Sequence, residues 1–145
     1  MTLGWEGSKV RLVPLDQDRH FENALRWVND PDVTAWTLMG DFPMSRLGEQ
    51  AFFEKAMRGS PDEIVFAVEK LDGEHIGLCS LHKIDYRNGW ALSGSLIGVR
   101  ELWGQGFGSD AIRVRTRYAF DVLGLRMLLT EVLAENAGSL RALLK

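Results

Sequence analysis

One glycine-rich stretch decides how the rest of the sequence is interpreted, and it reads Trp103-Gly104-Gln105-Gly106-Phe107-Gly108-Ser109. The stretch follows a predicted strand and precedes a predicted amphipathic helix. Glycine lets the backbone adopt conformations closed to other residues and approach a ligand closely. Successive amide groups and the positive end of the helix dipole then favour a phosphate or pyrophosphate at this loop.

Several interpretations compete at this loop. A P-loop requires lysine and then serine or threonine after its last glycine, whereas Gly108 is followed by Ser109 and Asp110. A Rossmann fingerprint requires G-x-G-x-x-G in a parallel βαβ unit, whereas the glycines here alternate with other residues and follow predicted hairpins. A plain tight turn does not need three alternate glycines ahead of a helix. The third interpretation, a loop for the pyrophosphate of an acyl-coenzyme A, is the one that the family resemblance described below implies.

The segment before the loop predicts an antiparallel meander of three strands, at residues 63–71, 74–84 and 90–99. Asp72-Gly73 and Asn88-Gly89 are strong signals for the hairpin turns that join them. After the loop, the apolar periodicity predicts a helix over residues 109–123, which Gly124 would terminate, and then a strand over 126–134.

The N-terminal half predicts one strand and three helices. The strand covers residues 10–15, and a helix over 16–27 follows with an aspartate as its cap. A short helix is predicted at 33–39, and Ser45 would cap a further helix that ends near Arg58. A last helix is predicted to begin at Asn136.

Composition excludes several classes of protein. The 145 residues suit a single domain, residues 1–145, and a formal net charge of −3 offers no basic surface for nucleic acid. The sequence contains no apolar run of about 18 residues that would span a membrane. The single cysteine, Cys79, cannot form an intramolecular disulfide, which favours the cytoplasm, and its apolar surroundings favour a buried thiol over a nucleophile.

Neither the histidines nor the arginines of the predicted 109–123 helix indicate a metal site or a catalytic group. The three histidines, His20, His75 and His82, are scattered without the spacing of metal ligands, so we expect no metal site. Arg113, Arg115 and Arg117 cannot share one face of a helix, so we expect them to be mostly solvated, with Arg113 near a bound phosphate.

The glycine-rich loop resembles that of the GNAT superfamily of acyl-CoA-dependent N-acyltransferases, whose pattern is Q/R-x-x-G-x-G/A between the fourth strand and the third major helix. In the branch similar to the ribosomal-protein acetyltransferases RimJ and RimL, tryptophan takes the first place, which here gives Trp103-x-x-Gly106-x-Gly108. Residues 10–15, 27–31, 96–98, 109–111 and 135–136 resemble that branch as well, so the resemblance covers essentially the whole chain.

The resemblance implies an α+β fold, in which a mixed, mostly antiparallel twisted sheet is flanked by helices and the fourth and fifth strands splay in a V. It implies transfer of an acetyl group from acetyl-CoA to a primary amine, either a protein N-terminus or a small amine, without a metal. The pyrophosphate would lie on seven residues of the loop: Trp103, Gly104, Gln105, Gly106, Phe107, Gly108 and Ser109. Trp103 could equally serve as an apolar plug that packs the loop.

The cofactor arm would lie in the gap between the splayed strands and pair with the backbone of Ile97, Gly98 and Val99. In the family a backbone N–H near Ile97 or Val99 polarises the thioester carbonyl. Asn136 resembles the asparagine that hydrogen-bonds the cofactor arm, although it could also cap the last helix.

The general base is where the sequence departs from the branch. A glutamate commonly stands on the fourth strand, at the position that Leu92 occupies here. Glu131 on the fifth strand and Asp85 at a hairpin are candidates to replace it, although both could be solvated surface carboxylates. Ser139 resembles a serine that donates a proton to the departing sulfur, with a helix-surface serine as the alternative.

The C-terminus is short for this branch, whose domains continue with two more strands, whereas the sequence ends at Lys145. It is therefore either a fragment or an abbreviated domain. An uncovered fifth strand would favour pairing with a second copy, as a homodimer. Leu92 and the short C-terminus favour an alternative function, an acyl-CoA-binding module without turnover.

Overall fold

The computed structural model describes residues 5–34 and 43–130. Its centre is a six-stranded sheet in which every neighbouring pair is antiparallel except the last, which is parallel. Spatial order follows chain order: β1 (Trp5–Glu6), β2 (Val10–Pro14), β3 (Ile64–Lys70), β4 (His75–Asp85), β5 (Trp90–Ile97) and β6 (Met127–Thr130). The predicted α+β class with a mixed, mostly antiparallel sheet is confirmed.

Helices lie on both faces of this sheet. They are α1 (Gln17–Val28), α2 (Pro31–Thr34), α3 (Arg46–Arg58) and α4 (Phe107–Asp121), and a 3-10 turn spans Arg100–Leu102. Two caps that the sequence predicts are formed. The Asp16 side chain accepts from the backbone N–H groups of Asp18 and Arg19, and Ser45 Oγ accepts from Gly48 N–H at 2.9 Å.

Both predicted hairpin turns use their glycine in the left-handed conformation. Gly73, at φ 96°, closes the β3–β4 turn, and Gly89, at φ 77°, closes the β4–β5 turn. The Asp85 carboxylate accepts from the backbone and the side-chain amide of Asn88, and these bonds hold its pKa below the usual value. Asp85 therefore serves the turn, and its oxygens are already engaged there.

Alternation along β2 distributes the core between the two faces of the sheet. Val10 and Leu12 pack with Ala111 and Val114 of α4 on one face. The other face packs against α1 and α3 through Val13, Leu15, Phe21, Ala24, Phe53 and Ala67. The period-two pattern that predicted this strand therefore also sets which helices lie on which side.

Some boundaries differ from the sequence prediction. α4 begins at residue 107 rather than 109, because Gly106 adopts the left-handed conformation at φ 92° and forms the N-cap itself. The second helix covers Pro31–Thr34 instead of beginning at residue 33. The remainder of that helix, the end of the 126–134 strand and the helix from Asn136 lie outside the described residues.

Arg115 corrects the expectation that the arginines of α4 are solvated. Its side chain is 1% exposed, and its guanidinium donates to the carbonyl of Gly94 at 2.9 Å. Burial lowers the pKa of this guanidinium. Arg117 is exposed, as expected, and donates to the carbonyl of Glu6, and Arg113 is half-exposed and lies 3.2 Å from Asp110. Arg115 lies one turn after Ala111 and one turn before Tyr118, which places it on the apolar face of α4.

A buried carboxylate attaches α4 to the start of β2. Asp110 is 3% exposed, and its two oxygens accept from the backbone N–H groups of Lys9 and Val10 at 2.9 and 3.0 Å and of Ser8 at 3.3 Å. Burial alone would raise the pKa of this carboxyl, but the backbone hydrogen bonds outweigh it and hold the pKa below the usual value. A side chain at Gly7 would collide with the same carboxylate, 2.4 Å from the nearer oxygen.

We predict that Asp110→Ala lowers the free energy of unfolding by about 3 kcal/mol, because backbone N–H groups at the start of β2 lose their acceptor. Urea denaturation followed by circular dichroism measures the change. The matched control is Asp121→Ala at the exposed C-terminal end of α4, which we expect to change stability by less than about 0.5 kcal/mol. Equal losses in the two variants would contradict the anchoring role of Asp110.

Candidate functional site: the loop before α4 and the end of β5

The loop presents the N-terminus of α4 without a side-chain cap. Gly106, at φ 92° and ψ 0°, precedes the helix, and the first backbone bond of the helix runs from Asp110 N–H to the Gly106 carbonyl at 3.0 Å. The amides before Asp110 have no cap from a side chain. Uncapped N–H groups at this end carry the positive pole of the helix dipole, so the geometry suits an anionic group.

The glycines of the loop differ in what the fold requires of them. Gly104 and Gly106 have positive φ values of 79° and 92°, which other residues rarely adopt. Gly108 lies inside the first turn of the helix, and an added Cβ would meet Ile97 Cγ1 at 3.7 Å, an ordinary contact. The backbone conformation therefore requires glycine at 106 but leaves room for a methyl group at 108.

Two side chains of the loop bind back to the preceding chain. The indole Nε1 of Trp103 donates to the carbonyl of Ile97 at 2.8 Å, and Gln105 Nε2 donates to the carbonyl of Glu101 at 2.6 Å. The Trp103 side chain is nevertheless 42% exposed. This residue therefore attaches the loop to the end of β5 and still presents part of its ring to solvent.

Lys9 is a residue of the site that sequence reasoning missed. Its Cε atom lies 3.3 Å from the position of a Cβ on Gly106, and its Nζ stands 5.5 Å from the centre of the Phe107 ring. Asp110 holds the backbone of Lys9 in place through the 2.9 Å hydrogen bond. The fold thus brings a cation to the loop from the start of β2.

The backbone at the end of β5 is already partly engaged. Gly98 N–H donates to the Ile76 carbonyl at 2.8 Å, so that amide belongs to the sheet. Neighbouring residues of a strand turn their backbone groups to opposite sides, so Ile97 N–H faces away from β4. The Val99 carbonyl accepts from Leu102 N–H at 3.0 Å. Of the amides predicted to face the cofactor arm, Ile97 N–H therefore has the suitable direction.

β5 changes its neighbours along its length. It pairs with β6 from Trp90↔Met127 to Ser93↔Thr130, and within the described chain no β6 partner continues beyond Ser93. In the described chain, residues 94–97 pair with β4. The Ile97 side chain packs against the cluster that contains Ala111 of α4, so this end of β5 lies next to the start of that helix.

A buried aromatic stack supports the end of β5 from the other side. Gly98 lies so close to Trp27 that a Cβ would stand 2.1 Å from the indole Cδ2 atom. The Trp27 ring is 4.7 Å from the His75 ring, which is 4.5 Å from the His20 ring. These two histidines are therefore brought together, whereas the sequence suggested that they were scattered.

The hydrogen bonds of this stack define which ring nitrogens carry protons. Asp16 N–H donates to His20 Nδ1 at 2.9 Å, so His20 Nε2–H donates to the buried Glu69 at 2.8 Å. His75 Nε2–H donates to the Gly77 carbonyl, which leaves its Nδ1 as the acceptor for Asn23. Burial lowers the pKa of His75 to about 4, so this imidazole is neutral near neutral pH.

Glu69 closes the stack at the α1 side of the sheet. Its carboxylate is 1% exposed and lies 2.6 Å from the Arg19 guanidinium as well as 2.8 Å from His20. Burial alone would raise its pKa, but the His20 hydrogen bond and the Arg19 charge hold the pKa below the usual value. Its oxygens therefore face structural partners.

The other features predicted from the sequence concern Cys79, metal binding, membrane spans and three site residues near the C-terminus. Burial raises the pKa of the Cys79 thiol to about 12, in agreement with a buried thiol and not a nucleophile. Among residues 5–34 and 43–130, no cluster of three His, Cys, Asp or Glu side chains is arranged to hold a metal ion, and no helix is long and apolar enough to cross a membrane. Three predicted site residues lie outside the described part of the chain: Glu131, Asn136 and Ser139.

Comparison with known proteins identifies the family. The model of the acetyltransferase (GNAT) domain matches residues 9–145. An uncharacterized N-acetyltransferase p20 of Bacillus licheniformis is 32% identical over 118 residues, which are 79% of this chain and 65% of that protein. The match thus spans just under two thirds of the length of this curated relative.

Solved structures share the fold. A GCN5-related N-acetyltransferase from Brucella melitensis is 29% identical, with a TM-score of 0.73, and the match covers 95% of this chain and 63% of that one. A spermidine N-acetyltransferase from Vibrio cholerae, in complex with CoA and spermine, is 22% identical, with a TM-score of 0.82 and coverage of 94% and 79%. At this identity the second likeness concerns the fold.

We predict that the buried His75 makes stability depend on pH between pH 7 and 5. The pKa of an unfolded histidine is near 6.5, whereas that of His75 in the fold is about 4, so the unfolded state binds the proton first. Stability is therefore lost as the pH falls below about 6.5. We expect the wild type to lose about 2 kcal/mol more than His75→Gln between pH 7 and pH 5 in urea denaturation. Parallel losses in both proteins would contradict this origin.

Proposed function

The chain belongs to the GNAT acetyltransferase family, and we propose that it transfers an acetyl group from acetyl-CoA to a primary amine. The observation that carries this proposal is the uncapped N-terminus of α4 behind Gly106, in the loop that follows the end of β5. We also assign the chain to the RimJ/RimL-like branch, on Trp103 and on the sequence around it.

The loop is proposed to hold the pyrophosphate of coenzyme A. Gly106 turns the chain so that the first amides of α4 are left without a side-chain cap, and the positive end of the helix faces the same place. Lys9 adds a positive charge next to Gly106. A side chain at Gly106 would have to adopt the left-handed conformation, and its Cβ would make a tight contact of 3.3 Å with Lys9 Cε.

The end of β5 is proposed to receive the cofactor arm. Ile97 N–H faces away from β4 and would donate to the carbonyl oxygen of the acetyl group, where negative charge develops as the amine attacks. Gly98 would contribute through its close packing on Trp27, which fixes the position of this end of β5. From the resemblance, Asn136 would hydrogen-bond the arm and Ser139 would protonate the departing sulfur.

The transfer also requires that the amine lose a proton. An alkyl ammonium with a pKa near 10 costs about 4 kcal/mol to deprotonate at pH 7, so a proton acceptor near the acetyl group accelerates the reaction. Leu92 cannot act in this way. Glu131 was the candidate from the sequence, and it remains a proposal because it lies outside the described residues.

Leu92 favours an alternative function, because it places no carboxylate where the branch commonly has a glutamate. Without a base, the domain could bind an acyl-CoA and not turn it over. The two functions share the loop and differ in chemistry, so affinity for acetyl-CoA supports both and release of free coenzyme A thiol distinguishes them.

We predict that Gly106→Ala lowers the affinity for acetyl-CoA at least tenfold in isothermal titration calorimetry, because a side chain at φ 92° distorts the turn before α4. Gly108→Ala is the matched control for the backbone. It should leave the fold intact or stabilise it by about 0.5–1 kcal/mol, since alanine is the better helix former. Any affinity lost in Gly108→Ala then reports close approach of the ligand. Full affinity in Gly106→Ala would contradict the proposed loop.

We predict that the wild type releases coenzyme A thiol from acetyl-CoA in the presence of a primary amine, at a rate that rises from pH 6 to pH 8 as the amine is deprotonated. Thiol release is followed with a chromogenic disulfide, using spermidine and a peptide with a free N-terminus as two acceptors. Mass spectrometry should find one added acetyl group on the accepted amine. Tight binding of acetyl-CoA without thiol release on either acceptor would favour the binding module.

A further inference from the structure

The second half of β5 has one face that α4 buries and an opposite face that is only partly covered. Along β4 and β5 most residues directed to α4 are buried, as Cys79, Leu81, Ala91 and Ser93 illustrate, whereas Ser95 on the same side is exposed. Alternate residues on the other side are each intermediate in exposure. We call these six residues the open face: Leu78, Ser80, His82, Leu92, Gly94 and Leu96.

The open face adjoins the end of β5, where the acetyl group would be held. α1 and α3 cover the opposite end of the same side of the sheet, where their cluster packs on Val13 and Ala67 and reaches only Leu78 of the open face. An acceptor molecule can therefore approach β5 over the open face without displacing a packed helix of the described chain.

His82 is the titratable side chain of the open face. It pairs across the strands with Leu92, and Ser80 pairs with Gly94, so all four side-chain positions point to the same side. Gly94 has no side chain to fill the space beside these residues, where an added Cβ would stand 3.6 Å from Ser80 Oγ and 3.9 Å from His82 Cε1. The ring edge that carries both nitrogens therefore reaches over β5.

The hydrogen bonds of His82 differ from those of the buried histidines. His20 and His75 each use both ring nitrogens within the fold. In the described chain, His82 has one hydrogen-bond partner, the Ser80 hydroxyl at 3.4 Å from Nδ1, and no ion pair. When Nδ1–H donates to Ser80, the Nε2 lone pair is free to accept a proton.

The backbone at His82 is also shaped locally. The register between β4 and β5 shifts immediately after His82↔Leu92, and Lys83 has a positive φ of 51°. Such bulges redirect neighbouring side chains and occur beside active sites. The nearest charged residues along the strand are Lys83, which is exposed, and Asp85, which is bound to Asn88. On the other edge of β4, the register that pairs Ile64 with Leu81 brings Glu63 beside His82, whereas the β5 neighbours Leu92 and Gly94 are uncharged.

We propose that His82 is the catalytic base that takes the proton from the acceptor amine, in place of a carboxylate on β5. This inference rests on the proposed acetyl transfer. Nε2 accepts one proton from the ammonium, and the freed lone pair forms the N–C bond to the thioester carbonyl. The C–S bond then breaks, the sulfur leaves with its electron pair, and it takes the second proton that the nitrogen loses. The imidazolium returns its proton to solvent.

The test compares the pH dependence of kcat/KM for acetyl transfer in the wild type, His82→Gln and the control Lys83→Gln, an exposed neighbour on the same strand. Spermidine and the peptide serve as acceptors. We expect His82→Gln to lose about a hundredfold at pH 7 and much less at pH 9.5, where the peptide N-terminus is almost fully neutral and about a quarter of an alkyl amine with a pKa near 10 is neutral. Lys83→Gln should follow the wild-type profile. Calorimetry should show unchanged affinity of His82→Gln for acetyl-CoA.

A base placed across the strands gives a second measurement. In the double variant His82→Gln, Leu92→Glu, a carboxylate stands directly opposite the lost imidazole, and we expect it to restore at least tenfold at pH 7. Its activity should persist to lower pH than that of the wild type, because a carboxyl has a lower pKa than an imidazole.

The outcomes distinguish the role of His82 from the proposed acetyl transfer. An active wild type together with a His82→Gln profile parallel to it at every pH would overturn the role of His82 and leave the acetyltransferase standing. A wild type that binds acetyl-CoA and acetylates neither acceptor would overturn the proposed function itself, and the base with it.

Discussion

The three backbone hydrogen bonds that Asp110 accepts from the start of β2 are the interaction on which the rest of the site depends. They join the first turn of α4 to a strand on the far side of the core, so the helix N-terminus cannot move independently of the sheet. The same bonds place Lys9 over Gly106. A carboxylate inside the first turn is also favoured by the helix dipole, so one residue both anchors the helix and leaves its first amides free.

The opposite support comes from the aromatic stack. Trp27 contacts Gly98 at a distance that excludes any side chain there, and the Trp27 ring packs on His75, which packs on His20. Hydrogen bonds to Glu69, Gly77 and Asn23 satisfy these rings, which explains how polar groups are tolerated in this part of the core. The end of β5 is therefore held between α1 on one side and the loop before α4 on the other.

Local signals were sufficient to predict most of the fold. Asp72-Gly73, Asn88-Gly89 and the Ser45 cap act within a few residues of themselves, and the structure forms each of them.

Contacts between distant residues could not be predicted in the same way. Nothing near Lys9 indicates that it lies over Gly106. The periodicity of α4 places Arg115 on the apolar face but does not show the acceptor of its guanidinium, which is the Gly94 carbonyl. The glycine loop was identified because its glycines are adjacent in sequence, whereas the open face was missed because its members alternate along two strands.

The two edges and the two faces of β5 have different neighbours. Its first half is paired on both edges, and its second half keeps β4 on one edge while the other edge is free of β6 in the described chain. Of its two faces, one is closed by α4 and the other carries Leu92, Gly94 and Leu96. The period-two geometry of a strand keeps these roles apart, because backbone groups lie in the plane of the sheet and side chains project out of it. A base on β4 can therefore act at the same place as one on β5. Cross-strand partners have Cβ atoms only about 5 Å apart, so the reacting amine would meet either side chain from the same open side of the sheet.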